Sequence, residues 1–172
     1  MRFAGNLPYD ASTPIIEKFL REKDAASGAS FLLQKEFVAK MTTPPGRRES
    51  SPAAIFCAVY FEAKKGAAFP PSVFTPQPKV DSAVLNLFPR ENPLIEARPR
   101  DLYKLIYAAF SRRRRLLSNN LTSAGIPKEA VEAAYRAASL PRGLRAEEAD
   151  FKTWRALYEE LEKSLPNLPF RR

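Results

Sequence analysis

The stretch Pro89–Pro99, with three prolines and charges of both signs, separates two parts of the sequence whose apolar residues repeat with different periods. Before it, short apolar or alternating runs take turns with helical patterns. After it, every segment reads as helical. Strands interleaved with helices make an α/β unit, and a purely helical remainder packs as a domain of its own. The expected organisation is an α/β domain over residues 1–90 and a small all-α domain over residues 91–172.

Local chemistry sets the expected elements. Thr13 is positioned to cap a helix with Pro14 at its first position, and Ile15, Ile16, Phe19 and Leu20 give that helix one apolar face. Ser27-Gly28 breaks the chain before a buried strand, Ala29–Leu33. Gln34-Lys35-Glu36 opens a second helix that ends near Met41. Residues 42–51 form a loop, and a helix is expected over Pro52–Tyr60. Phe61–Phe69 reads as a strand interrupted at Lys64-Lys65-Gly66. Four prolines between Pro70 and Pro78 enforce an extended, rigid path. Val80–Phe88 is a strand with Val80, Ser82, Val84 and Asn86 on one face and Asp81, Ala83, Leu85 and Leu87 on the other. Beyond the linker, helices are expected from Asp101 to about Asn119, over Pro127–Ala138 and over Asp150–Ser164, with a frayed tail from Pro166.

The sequence has no histidine and one cysteine, Cys57, in an apolar run. Serine–histidine and cysteine–histidine catalysis and nearly all zinc chemistry need an imidazole or several thiolates, so these classes are excluded and no metal is expected. Cys57 reads as a small buried hydrophobe. No apolar run approaches the roughly 18 residues of a membrane span, and Met1–Gly5 is unlike a signal peptide. A cytoplasmic protein without membrane contact is expected. The net charge of +9 is uneven: residues 98–172 carry 16 basic and 9 acidic side chains, against 12 and 10 in residues 1–97. A basic patch attracts polyanions by releasing their counterions, and RNA is the obvious polyanion.

Asn6-Leu7-Pro8-Tyr9 puts an amide, a stiffened backbone and an aromatic ring in four consecutive positions. The exocyclic amine of adenine is a poor nucleophile because its lone pair is delocalised into the ring. The amide oxygen of Asn6 and the carbonyl of Leu7 are suited to accept its two N–H groups. Pro8 fixes the turn, and Tyr9 is suited to stack on a base flipped out of its helix. The plainer reading of these residues is a turn after a short strand, with Tyr9 in a core.

Two further stretches give the turn a context: Phe74-Thr75-Pro76-Gln77-Pro78-Lys79-Val80-Asp81-Ser82-Ala83-Val84, and Ala109-Phe110-Ser111-Arg112-Arg113-Arg114-Arg115-Leu116-Leu117-Ser118-Asn119-Asn120-Leu121. With Gln34-Lys35-Glu36 and Arg145-Ala146-Glu147 they resemble, in order and spacing, the S-adenosylmethionine-dependent rRNA adenine N6,N6-dimethyltransferase family. The resemblance implies a partial Rossmann-like methyltransferase core followed by a small all-α RNA-binding domain. It also implies methyl transfer from S-adenosylmethionine to adenine N6, performed twice, with the rRNA of the small ribosomal subunit or its precursor particle as partner during ribosome maturation. Asn6, Leu7, Pro8, Tyr9 and Phe74 would be the catalytic residues, with Phe74 facing the adenine opposite Tyr9, and Asn6 would also touch the cofactor.

Two departures stand out. The family's first strand, glycine-rich turn and acidic strand end have no counterpart, and none of the six glycines forms a Gly-x-Gly-x-x-Gly cluster. Gly46–Pro52 also differs from the family's tyrosine-glycine-arginine-leucine-serine type sequence. The chain thus reads as the carboxyl-terminal part of such an enzyme, with the main cofactor pocket outside it and an open sheet prone to self-association. The alternative is a non-catalytic rRNA-binding or ribosome-assembly module.

Successive helical residues are spaced by about 100°, so Arg112–Arg115 cannot share one face of a helix. Leu102, Leu105, Ile106, Ala109, Phe110, Leu116 and Leu117 define an apolar stripe with Arg113 at its centre, Arg115 opposite and Arg112 and Arg114 on the flanks. Arg113 is therefore expected to pair with a carboxylate or backbone carbonyls. Arg112, Arg114 and Arg115, with Lys79, are the expected RNA-binding residues.

Overall fold

The structure, a computed structural model, describes residues 1–22 and 27–164; the tail expected to fray lies outside them. The chain divides into two compact units, residues 1–43 with 57–93 and residues 44–56 with 94–172.

The first unit is built on a four-stranded sheet in the order β1-β2-β4-β3. β1 (Arg2–Asn6) and β2 (Gly28–Gln34) are parallel, with Asn6 opposite Leu32. β4 (Ser82–Pro89) runs antiparallel to both of its neighbours, β2 and β3 (Phe61–Phe69). Ala29, Phe31 and Leu33 of β2 and Ala83, Leu85 and Leu87 of β4 share one buried face, as strand alternation requires. On that face Phe19 of α1 (Ser12–Arg21) meets Phe3, Phe31 and Phe61 at ring-centroid distances of 5.6, 5.5 and 5.4 Å. Such aromatic pairs add about 0.5–1.5 kcal/mol each to the burial of the rings. The other face is polar: Ser30 Oγ donates to Asn86 Oδ1 at 2.7 Å, and Lys64 pairs with Asn86 across β3 and β4. α2 (Lys35–Met41) and α3 (Pro52–Tyr60) follow their expected bounds closely.

Three local expectations are corrected. Thr13 does not cap α1: the helix begins at Ser12, no side chain caps it, and Ser12 Oγ donates instead to the Pro8 carbonyl at 2.9 Å. β3 is not interrupted at Lys64-Lys65-Gly66. Lys64 and Lys65 pair with Asn86 and Leu85, and the register slips only between Lys65 and Ala68, as in a bulge. Gly66 sits in that slip, where a Cβ would come within 2.8 Å of the Asn86 side chain. Residues 70–78 are not uniformly extended, since Pro71–Val73 forms a 3₁₀ turn and the Thr75–Pro76 peptide is cis. A proline opening a helical turn gives up an N–H that the turn does not use. The N–H groups of Val73 and Phe74 then return to the carbonyls of Pro70 and Pro71.

The second unit is helical: α4 (Pro99–Ala109), α5 (Leu117–Ser123), α6 (Lys128–Ala137) and α7 (Phe151–Ser164). Leu102, Leu105, Ile106, Leu121, Val131, Trp154, Leu157 and Leu161 are all buried in it. Asp150 Oδ1 accepts the Thr153 N–H at 2.8 Å, which caps α7, and the Thr153 hydroxyl together with that N–H holds the Asp150 carboxyl below its ordinary range.

The single helix expected from Asp101 to Asn119 does not form, and the facing assigned to the arginines falls with it. α4 stops at Ala109, residues 110–116 are irregular, and α5 resumes at Leu117. A continuous helix would press Arg113 into the apolar stripe and desolvate its guanidinium. Breaking the helix leaves Arg112, Arg113 and Arg114 exposed and Arg115 half-buried. Arg114 takes a left-handed conformation, φ 63°, at a cost on the order of 1 kcal/mol. Two contacts offset the break. Phe110 turns its ring onto Trp154, nearly parallel at 6.3 Å, and the buried Asn120 amide donates to the carbonyls of Ala109 and Arg112 at 2.6 and 3.0 Å. Urea unfolding should therefore find Arg113→Ala within about 0.5 kcal/mol of the parent. Asn120→Ala, which strips a donor from two carbonyls, should cost about 1–3 kcal/mol. Equal losses would mean that Arg113 is paired after all.

Candidate functional site

In the first unit, β1, β2 and β3 all end at the edge of the sheet where antiparallel β4 begins. Asn6 closes β1 and is exposed, and the Leu7 N–H continues the ladder to the Leu32 carbonyl at 3.2 Å. The Pro8 carbonyl accepts both the Ala11 N–H and Ser12 Oγ, which ties the turn to the start of α1. Tyr9 is half-buried, and its hydroxyl lies 2.6 Å from Ser82 Oγ, the fully buried first residue of β4.

Ser82 joins the two sides of this edge. It pairs with Gln34 at the end of β2 and with Phe69 at the end of β3. Phe69 in turn meets Phe74 edge-to-face at 6.5 Å. Tyr9 and Phe74 are thus held by one continuous set of contacts through Ser82 and Phe69. Neither ring is a core residue; Phe74 is half-buried, and Phe69 and Val73 beside it are 37% and 59% exposed. The segment before β4 is fastened to α2 as well. The Lys35 N–H donates to the Asp81 carbonyl at 2.9 Å, and its ammonium pairs with Asp81 Oδ2 at 2.8 Å. With both partners about half exposed, that ion pair adds at most about 1 kcal/mol. Lys79, two residues earlier, is exposed.

The edge therefore brings together an exposed amide, a backbone turn, two partly exposed aromatic rings and a lysine. Such a set suits a flat base with hydrogen-bonding edges. In the second unit Arg112, Arg114 and Arg115 lie on the turn between α4 and α5, held there by Asn120. Cys57 is fully buried, and burial pushes its thiol up to about 12, too high for a nucleophile at neutral pH. Among the described residues no group of three or more metal-ligating side chains comes together, and no helix is long and apolar enough to cross a membrane.

A model of the family described as "Ribosomal RNA adenine dimethylase" matches residues 1–163. The chain belongs to this family. A relative from Alcanivorax borkumensis, named "Ribosomal RNA small subunit methyltransferase A", is 36% identical over 158 residues, covering 91% of this chain and 55% of that protein. A Bacillus pumilus protein of the same name is 36% identical over 166 residues, covering 93% of this chain and 56% of that protein. The chain thus spans about half the length of the curated relatives it matches. The crystal structure of the 23S rRNA methyltransferase ErmE superposes with a TM-score of 0.66 at 26% identity, covering 94% of this chain and 65% of that one. The Plasmodium falciparum dimethyladenosine transferase shares the fold at a TM-score of 0.79 and 22% identity, with 94% of this chain and 66% of that chain covered. The mixed α/β architecture with a Rossmann-like core is the one these structures share.

For this dimethylase-family chain, reading the sequence alone missed Ser82 and Phe69 as site residues, although both lie in or beside the stretches singled out. The available signal was the pair Asp81-Ser82, two polar residues where a proline-rich loop turns into an apolar strand. Because the Tyr9–Ser82 bond is the hinge of the edge, removing either hydroxyl should weaken it. Tyr9→Phe and Ser82→Ala should each cost about 1 kcal/mol, and their double-mutant cycle should show a coupling of about 0.5–1.5 kcal/mol in urea unfolding. Strict additivity would rule the bond out as a stabilising contact.

Proposed function

We propose that this chain is the base-positioning and RNA-binding part of an rRNA adenine N6,N6-dimethyltransferase that acts in the cytoplasm on small-subunit rRNA or its precursor particle. In this reading residues 1–90 are the carboxyl-terminal part of the catalytic core and residues 91–172 the RNA-binding domain. The observation that supports it best is the convergence of Asn6, Leu7, Tyr9 and Phe74 at one edge of the sheet through Ser82 and Phe69. Asn6 Oδ1 and the Leu7 carbonyl accept the two N–H groups of the adenine amine, Pro8 stiffens the turn, and Tyr9 and Phe74 take the two faces of the base. Base–aromatic stacking of this kind is worth about 1–3 kcal/mol per base. Lys79, Arg112, Arg114 and Arg115 meet phosphates.

The methyl donor of this reaction class is S-adenosylmethionine, and the residues present supply only one rim of a site for it. β1 and β2 end in the amides Asn6 and Gln34, so neither strand end offers a carboxylate for ribose hydroxyls. Asn6 is the one residue assigned a contact with the cofactor, and its main pocket lies outside this chain in our reading. The incomplete rim, with the basic excess of residues 98–172, favours a second reading, a non-catalytic rRNA-binding or assembly module. Calorimetric titration of the chain with S-adenosylmethionine separates the two: micromolar binding supports the enzyme, and none supports the module. β1 is an edge strand with mostly exposed residues, so self-association through that edge belongs to the same proposal and is read by light scattering against concentration.

The decisive experiment restores a family member's amino-terminal cofactor-binding part ahead of Met1 and substitutes Asn6→Ala. Single-turnover methyl transfer should fall by more than tenfold, about 1.4 kcal/mol, while RNA affinity stays within twofold. A smaller loss of rate would remove Asn6 from the role assigned to it.

A further inference from the structure

We propose that a cavity between α5 and α6 receives one nucleotide of a bound RNA strand, its phosphate on Arg136 and Arg142 and its ribose hydroxyls against Ser118, Thr122 and Tyr135. The proposal rests on the RNA-binding reading of the helical unit and adds a defined site to it. The cavity has a volume of about 600 Å³, within the range of small-molecule sites, and every residue named here lines it.

Its chemistry selects the ligand. Lys128 at the rim is already engaged by Glu132 at 3.7 Å. Arg136 and Arg142 are exposed, and among the described residues neither pairs with a carboxylate. Two unengaged guanidiniums beside several hydroxyls call for an anion that also presents acceptors and hydroxyls, which a ribonucleotide does. Tyr135 gives an independent sign. It is only 8% exposed, and its hydroxyl has no hydrogen-bond partner within the protein. Buried polar groups are rarely left unpaired, and one that lines a cavity is ready for a ligand atom. Burial pushes the Tyr135 pKa up to about 12, tempered by the polar groups of nearby Ser118, which lie close without forming a well-shaped hydrogen bond. The phenol is therefore a neutral donor at physiological pH.

Continuity with the arginine turn points to a strand of RNA over a free nucleotide. Ser118 is three residues beyond Arg115, so their Cα atoms are at most about 11 Å apart. A strand whose phosphates meet Arg112–Arg115 can deliver its next nucleotide to the cavity mouth without leaving the surface.

The test uses the full chain and a fluorescent single-stranded oligoribonucleotide carrying 4-thiouridine. Photo-crosslinks read by mass spectrometry should fall on residues 118–142. Arg142→Ala should raise Kd several-fold and lower the slope of log Kd against log salt by about one. Tyr135→Phe, which keeps charge and shape, should raise Kd several-fold with the slope unchanged, whereas Lys152→Ala, an exposed charge of the same unit outside the cavity, should leave the crosslinks where they are. Salt-dependent RNA binding by the parent, with both cavity variants binding like it and crosslinks elsewhere, overturns the cavity and spares the RNA-binding reading. A parent chain that binds no RNA overturns both.

Discussion

The antiparallel placement of β4 between β2 and β3 is the constraint on which the first unit depends. A parallel strand in that position would start at the opposite edge of the sheet. Because β4 is reversed, its first residue, Ser82, lies where β1, β2 and β3 end, and the proline-rich segment before it arrives at the same edge. The Tyr9–Ser82 contact, the Lys35–Asp81 pair and the Phe69–Phe74 contact all follow from that reversal. Each is individually modest. Together they hold an asparagine near the start of the sequence and an aromatic residue some seventy positions later at a single edge.

In the helical unit, solvation decides the local structure. Four consecutive arginines cannot all stay hydrated on a helix whose other face is buried. The chain gives up about two turns of helix and accepts one left-handed residue so that none of the four enters the core. The cost is contained because Asn120 donates to the Ala109 and Arg112 carbonyls at the break, and Phe110 finds Trp154. The result is a short, highly charged turn with a fixed backbone, which suits phosphate contacts better than a helix face on which the charges diverge by about 100° each.

The two units differ in the chemistry they offer. The sheet edge offers amide, carbonyl and aromatic groups, which discriminate a base, and the helical unit offers cations and hydroxyls, which hold a backbone. The family model that the chain matches is described as "Ribosomal RNA adenine dimethylase", and in the proposed reading both sets meet RNA. Both proposed readings bind RNA, which is why cofactor binding, and not RNA binding, separates the enzyme from the module.

Much of this was legible in the sequence. Among the described residues no strand extends past Pro89 and the only elements from Pro99 on are helical, as expected; the burial pattern of β4 followed its alternation, and α3 matched its expected bounds of Pro52–Tyr60. These features are local, so their determinants lie within a few residues of one another. Asn6 and Tyr9 could be named from motif chemistry, whereas Phe74 was named from the family resemblance alone. What the sequence by itself could not determine was anything that depends on a competition between distant groups. The helix through Arg112–Arg115 was expected because periodicity counts apolar positions and does not weigh the desolvation of a guanidinium against a partner such as Asn120. Ser82 and Phe69 as the link across the sheet edge and the unpaired Tyr135 hydroxyl in its cavity exist only once strands far apart in sequence are in register and helices are packed. Local propensity is set by each residue's own backbone and neighbours, whereas pairing, burial and the satisfaction of polar groups are properties of the assembled fold, and only the tertiary structure decided them.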